Sequence, residues 1–202
     1  MADPGEAGRD VVDLARQLLA GGARILQLRW RPAGSAALFA AACACRELSR
    51  RHGAVFLVND RVDVALACGA DGVHLGQTDL PIAPARRWMG ERCWIGVSTH
   101  DREQARAAAA AGADYIGFGP IFATSSKHTG YTPRGLDALR AVRRGVDVPI
   151  VAIGGIDEDS AAAVLEAGAD AVAMISALTA APDVSATVRR VLARLDSTRR
   201  PQ

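Results

Sequence analysis

Residues 55–79 read VFLVNDRVDVALACGADGVHLGQTD, and the changes of hydrophobic period inside this stretch decide the fold. Residues 55–58 are a continuous apolar run, residues 62–68 place apolar side chains at helical spacing and close on Gly69, and residues 72–75 are apolar again. A short apolar run with no polar alternation is a strand buried on both faces. The stretch is therefore one strand–helix–strand unit. Its charges fall at the strand ends: the first run stops at Asn59-Asp60, and the second is followed by Gln77 and Asp79.

The same junction recurs along the chain, as AGGARILQL from Ala20, ACGADGVHL from Ala67, AAGADYIGF from Ala110 and EAGADAVAM from Glu166. Each time an Ala-rich helical stretch closes on Gly, the usual helix-ending residue, and Ala-Asp or Ala-Arg opens an apolar strand. Further apolar strands lie at 55–58, 94–97 and 149–153. Helical patterns separate all of them, at about 11–19, 36–51, 62–68, 82–89, 102–111, 136–144 and 159–167, and a last helix at about 184–195 closes the chain. Strict alternation predicts a parallel sheet covered by helices. The expected fold is an α/β (β/α)8 TIM barrel that lacks its first strand, because the chain opens on a helix preceded by Ala2-Asp3-Pro4-Gly5, which reads as the loop after an absent strand. An open doubly wound sheet is the competing architecture.

With 202 residues, half of them hydrophobic, the chain fits a single domain over 1–202, with about 196–202 as a disordered tail. A formal charge of +2 from 24 basic and 22 acidic residues, with no basic cluster before the tail, argues against a nucleic-acid partner. No apolar run is long enough to span a membrane, and the opening MADPGEAGRD lacks the regions of a signal peptide, so the expected location is cytoplasmic. Cys43, Cys45, Cys68 and Cys93 form no CxxC pair and read as reduced, packed thiols.

In a parallel barrel the chemistry sits at the carboxyl ends of the strands. Along 25–31, Gln27, Arg29 and Arg31 share one face and Leu26, Leu28 and Trp30 the other. The polar set is either a solvated strand end or an anion site facing the barrel mouth. Asp60 and Asp79 each read in two ways, as helix N-caps or as carboxylate ligands of Mg²⁺. Ser98 follows WIGV, and residues 119–135, GPIFATSSKHTGYTPRG, form a polar loop with one Lys that fits a lid over a bound ligand. Gly154-Gly155 and Ile175-Ser176 fall after the last two strands, where barrels of this type bind phosphate. His74 has inward parity and fits a hydrogen-bonded structural role better than catalysis. The residues alone indicate an enzyme with two anion sites, one built around a divalent cation, for two phosphorylated substrates.

Taken together and in this order, QLRWR, VNDRVDVALACGADGVHLGQTDL, IGVSTH, DYIGFGPIFATSSK, AIGGI and ISA resemble the thiamine phosphate synthase family over nearly the whole chain from about Val11. That resemblance implies a transferase of thiamine biosynthesis that joins hydroxymethylpyrimidine diphosphate to thiazole phosphate and releases pyrophosphate. It further implies pyrophosphate contacts at Arg29, Arg31, Asn59, Ser98 and Lys127, with Arg29, Ser98 and Lys127 catalytic, and Gln27 beside the pyrimidine. Asp60 and Asp79 would hold Mg²⁺, and Thr124, Ser126, Gly155, Ile175 and Ser176 would cradle the thiazole phosphate. The family's usual Lys in the first motif is Arg31 here, which keeps the charge and changes the reach. Two alternatives stand beside the synthase: a thiazole tautomerase of the same fold, which by resemblance carries a His in the stretch where this chain has Pro120, and a non-catalytic metabolite-binding barrel.

Overall fold

The computed structural model describes residues 1–3, 8–124 and 130–199. Seven parallel strands, β1 (Ile25–Leu28), β2 (Val55–Asn59), β3 (Gly72–Leu75), β4 (Trp94–Thr99), β5 (Tyr115–Phe118), β6 (Ile150–Ile153) and β7 (Ala171–Ala173), pair in chain order. Helices α1 (Val11–Ala20), α2 (Ser35–Arg51), α3 (Val62–Cys68), α4 (Ile82–Met89), α5 (Arg102–Ala110), α6 (Gly135–Arg143) and α7 (Ala161–Glu166) alternate with them, and α8 (Ser176–Thr179) and α9 (Val184–Arg199) follow β7. Sequential order without reversal is that of a (β/α)8 barrel short of one strand and excludes the doubly wound alternative, whose strand order must reverse.

At the eighth position the chain places only its first residues. Ala2 donates to the Gln27 carbonyl at 2.8 Å and accepts from the Arg29 amide at 3.0 Å, a parallel bridge on the free edge of β1. The Met1 ammonium donates to the Met174 carbonyl at 3.2 Å, just past β7. Ala2, read from sequence as part of a loop, is thus bonded as strand. At the other end α9 is helical to Arg199, past the point where a frayed tail was expected, and 200–202 lie outside the described residues.

Alternation along the strands sorts the core. Leu26, Leu28, Phe56, Val58, Val73, Leu75, Ile95, Val97, Ile116 and Phe118 are buried in the cluster shared with the helices. Full burial of such side chains contributes about 1.5–3 kcal/mol each, so this layer dominates the stability of the fold. The opposite parity, Gln27, Leu57, Asn59, His74, Gly96, Ser98, Tyr115 and Gly117, belongs to the barrel interior.

The repeated junction has a physical cause. Its glycine takes a left-handed φ at Gly22 (102°), Gly69 (66°), Gly112 (89°) and Gly168 (108°), turning the chain from helix to strand without a Cβ clash. The Asp after it caps a neighbouring strand: Asp71 accepts from the Phe56 amide at 2.8 Å, Asp114 from Ile95 at 2.6 Å and Asp170 from Ile150 at 2.8 Å. Each also pairs with an Arg of an earlier helix, Arg46, Arg86 and Arg143, at 3.1, 2.6 and 2.9 Å. Asp114→Ala leaves a strand amide without its acceptor, which costs about 1–3 kcal/mol. Thermal unfolding is expected to shift down accordingly, while turnover per folded molecule stays unchanged because this end of the barrel lies opposite the mouth.

Candidate active site

The carboxyl ends of β1, β2 and β3 bring the expected residues together in part. β1 ends at Leu28, so the inward face foreseen over 25–31 extends only as far as Arg29, and Arg31 stands in the following turn. Arg31 nevertheless reaches the site, its guanidinium donating to Asp60 Oδ2 at 3.1 Å. Arg29 forms a buried ion pair with Asp3, and its Nε has no partner. Gln27 has inward parity with Oε1 buried and unpartnered, and its side chain lies close enough to Tyr115 to oppose the rise that burial gives the phenol pKa.

Asp60 is held in an uncommon conformation, at φ 65°, the one left-handed non-glycine among the described residues. Its amide donates to the His74 carbonyl at 2.8 Å, which locks the turn to β3. Asp79 sits in the turn after β3, its Oδ2 accepting from the Gly76 amide at 2.7 Å. Neither carboxylate caps a helix, since the cap positions of α3 and α4 fall on Arg61 and Pro81 and lack a side-chain cap bond. Instead the Asp79 carboxyl lies close enough to Asp60 to raise its pKa. Burial holds the Asp60 pKa above its ordinary value, the neighbouring Asp79 carboxyl raises it further, and Arg31 opposes the shift.

Two carboxylates pressed together with one Arg beside them suit a small divalent cation. Mg²⁺ commonly takes one or two protein carboxylates and completes its shell with water and substrate phosphate. No group of three or more His, Cys, Asp or Glu converges on a metal position among the described residues, so Asp60 and Asp79 are the donor set available here.

Asn59 ends β2 beside this pair. Ser98, on β4, bonds through Oγ to His74 Nε2 at 2.9 Å, and its carbonyl accepts from Gln77 Nε2 at 2.6 Å. On the other side of the mouth the β5 and β6 loops interlock. Gly154 (φ 99°) and Gly155 (φ 65°) are left-handed, and a Cβ on Gly155 would lie 2.4 Å from the Ala123 carbonyl oxygen. Phe122 donates to the Gly154 carbonyl at 2.9 Å, two residues before Thr124. Ile175 precedes α8, whose first residue is Ser176. Ser126 and Lys127 lie outside the described residues.

Sequence reasoning missed Asp3 and Tyr115. Asp3 ends its edge bridge as Asp60 ends β2, but a bridge of one residue gives no apolar run to mark it as a strand-end carboxylate. Tyr115 opens an apolar run and reads as core packing.

A family model described as thiamine monophosphate synthase matches residues 1–178. The chain is 48% identical over 194 residues to the thiamine-phosphate synthase of Chloroflexus aurantiacus, covering 96% of this chain and 88% of that one. It is 50% identical over 184 residues to that of Moorella thermoacetica, covering 91% and 88%. Among solved structures it resembles a thiamine phosphate pyrophosphorylase from Pyrococcus furiosus, with a TM-score of 0.88, 38% identity and 95% and 92% of the two chains covered.

Proposed function

The chain belongs to the thiamine monophosphate synthase family and is a transferase of that kind, and from this premise we propose that it condenses 4-amino-2-methyl-5-hydroxymethylpyrimidine diphosphate with thiazole phosphate to give thiamine phosphate and pyrophosphate. The observation that carries the reading is the meeting of Arg31, Asp60 and Asp79 at one end of the sheet, with Arg31 donating to Asp60 and the Asp79 carboxyl close enough to raise the Asp60 pKa. That cluster suits a cation–diphosphate pair, which a barrel binding a single monophosphate would not need.

Asp60 and Asp79 would hold Mg²⁺, which when bound supplies Lewis-acid stabilisation of diphosphate charge. Arg29, Arg31, Asn59, Ser98 and Lys127 bind the same diphosphate. As the carbon–oxygen bond from the pyrimidine methylene breaks, its electron pair leaves on the diphosphate. Arg29, Ser98 and Lys127 neutralise that growing charge. The thiazole nitrogen then donates its lone pair to the pyrimidine cation, so no protein nucleophile or base is required. Thr124, Ser126, Gly155, Ile175 and Ser176 would anchor the thiazole phosphate and aim its nitrogen, while Gln27 orients the pyrimidine. The loop over 123–134 would exclude water from the cation. No helix among the described residues is long and apolar enough to cross a membrane. The four cysteines are free, which suits a reducing compartment, and we place the enzyme in the cytoplasm.

The test is coupled release of pyrophosphate and formation of thiamine phosphate. Both substrates and Mg²⁺ should be required, and chelation should abolish turnover reversibly. Coupling that survives thorough chelation would remove the cation from the reading, and a folded protein that couples nothing would remove the reaction.

A further inference from the structure

Four side chains from four strands form one polar line, with Tyr115 (β5) and His74 (β3) buried and Gln27 (β1) and Ser98 (β4) half-buried at its ends. Tyr115 Oη lies 2.9 Å from His74 Nδ1, and His74 Nε2 lies 2.9 Å from Ser98 Oγ. Room for the line is made by missing side chains. A Cβ on Gly96 would sit 2.0 Å from the Tyr115 ring, and one on Gly117 would sit 2.9 Å from His74 Cε1.

The direction of the hydrogen bonds follows from their donors. Gln27 Oε1 has no partner, and the Gln27 side chain opposes the rise that burial gives the Tyr115 pKa, as an amide N–H turned toward the phenol oxygen does. Burial still pushes the Tyr115 pKa up, which keeps the hydroxyl protonated. His74 Nδ1 is the acceptor recorded beside the Tyr115 hydroxyl, which places its own proton there, since a buried O–H without an acceptor is costly. A neutral imidazole that accepts at Nδ1 carries its proton at Nε2 and donates to Ser98 Oγ. The Ser98 proton is then left for a group in the barrel mouth.

We propose that Tyr115 and His74 are positioning residues that set Ser98 as a hydrogen-bond donor to the departing diphosphate. The opposite tautomer would take the Ser98 proton and present only lone pairs to an anion. The proposal rests on the diphosphate reading of Ser98 given above.

Two measurements test it. Nitrogen-15 chemical shifts of the wild-type His74 ring, assigned with His74→Gln, should report the neutral Nε2–H tautomer and need no catalysis. In kinetics, Tyr115→Phe should lower kcat roughly 10- to 100-fold, the size of one hydrogen bond to a charged group, with KM for the pyrimidine diphosphate changing far less. In a Ser98→Ala background the same change should matter less than about twofold, because the chain then ends on nothing. A ring protonated at Nδ1, or equal losses from Tyr115→Phe in both backgrounds, overturns the proposal. An enzyme that couples no substrates while His74 shows the expected tautomer defeats the synthase reading and the positioning role with it. That result is distinct from an active enzyme with the wrong tautomer.

Discussion

Asp60→Asn is expected to lose most of the turnover while making the cation-free protein more stable. The two effects have one cause, the half-burial of the Asp60 carboxyl beside that of Asp79. Asn keeps the shape, tolerates the left-handed φ of 65° and can still accept from Arg31, so the turn is undisturbed. It removes the charge that would bind the cation, and turnover should fall about 10²–10³-fold, as when one preorganised electrostatic contact is lost. The stability sign follows from linkage. The folded pKa of Asp60 lies above its unfolded value, so the folded state binds the proton more tightly. Stability from this group is complete below the unfolded pKa and is lost as pH rises through the folded one. The advantage of Asp60→Asn should therefore be present at neutral pH and vanish in acid. Added Mg²⁺ should raise the wild-type Tm at neutral pH and leave the variant nearly unmoved. Thermal melts at both pH values with and without Mg²⁺, beside steady-state turnover, check every part. A variant that keeps wild-type Mg²⁺-dependent coupling would release Asp60 from the cation role.

The fold was legible because its junctions depend on backbone chemistry that few residues can supply. Gly22, Gly69, Gly112 and Gly168 all take left-handed φ, and the Ala-Asp that follows three of them marks strands capped by Asp71, Asp114 and Asp170. Boundaries were less legible where side chains compete with the backbone. The helix expected from residue 159 begins at Ala161, because Asp157 Oδ1 accepts from the amides of Asp159 and Ser160 at 3.2 and 2.9 Å and holds a turn there. The four-residue α8 is too short to show a helical period.

The candidate site divides in the same way. Strand ends announced Asn59, Asp60 and Ser98, since polar residues closing apolar runs stand out in a parallel sheet. Whether Asp60 and Asp79 cap helices or face one another turns on a single left-handed residue, and no sequence period reports that. The line from Gln27 to Ser98 joins residues up to 88 positions apart in chain numbering, Gln27 and Tyr115 being its extremes. The inward parity of Gln27 and His74 hinted at it. The role of Asp3 lay further out of reach, because a bridge of one residue carries no alternation to read.

Arg29→Ala is expected to be the most damaging single change, because it removes the proposed diphosphate contact and the guanidinium that neutralises a buried carboxylate at once. The side chains of Arg29 and Asp3 are only 13% and 8% exposed, so water replaces little of the lost interaction. Removing one partner of a buried pair costs about 3–5 kcal/mol. Turnover per folded molecule should fall by a further ~10²–10³-fold, the scale of one lost electrostatic contact to a developing anion. Arg29→Lys is not a rescue, since Lys cannot present the planar fork that serves two anions together. Asp3→Asn separates the two effects. It relieves the buried charge, so Arg29→Ala should cost much less stability in that background while activity stays as low as in the single variant. Denaturant melts and kcat for the two single variants and the double variant make the measurement. If Asp3→Asn leaves the stability cost of Arg29→Ala unchanged, the pair does not hold the edge of the sheet, and the interaction between residues 1–3 and β1 rests on the backbone bridge alone.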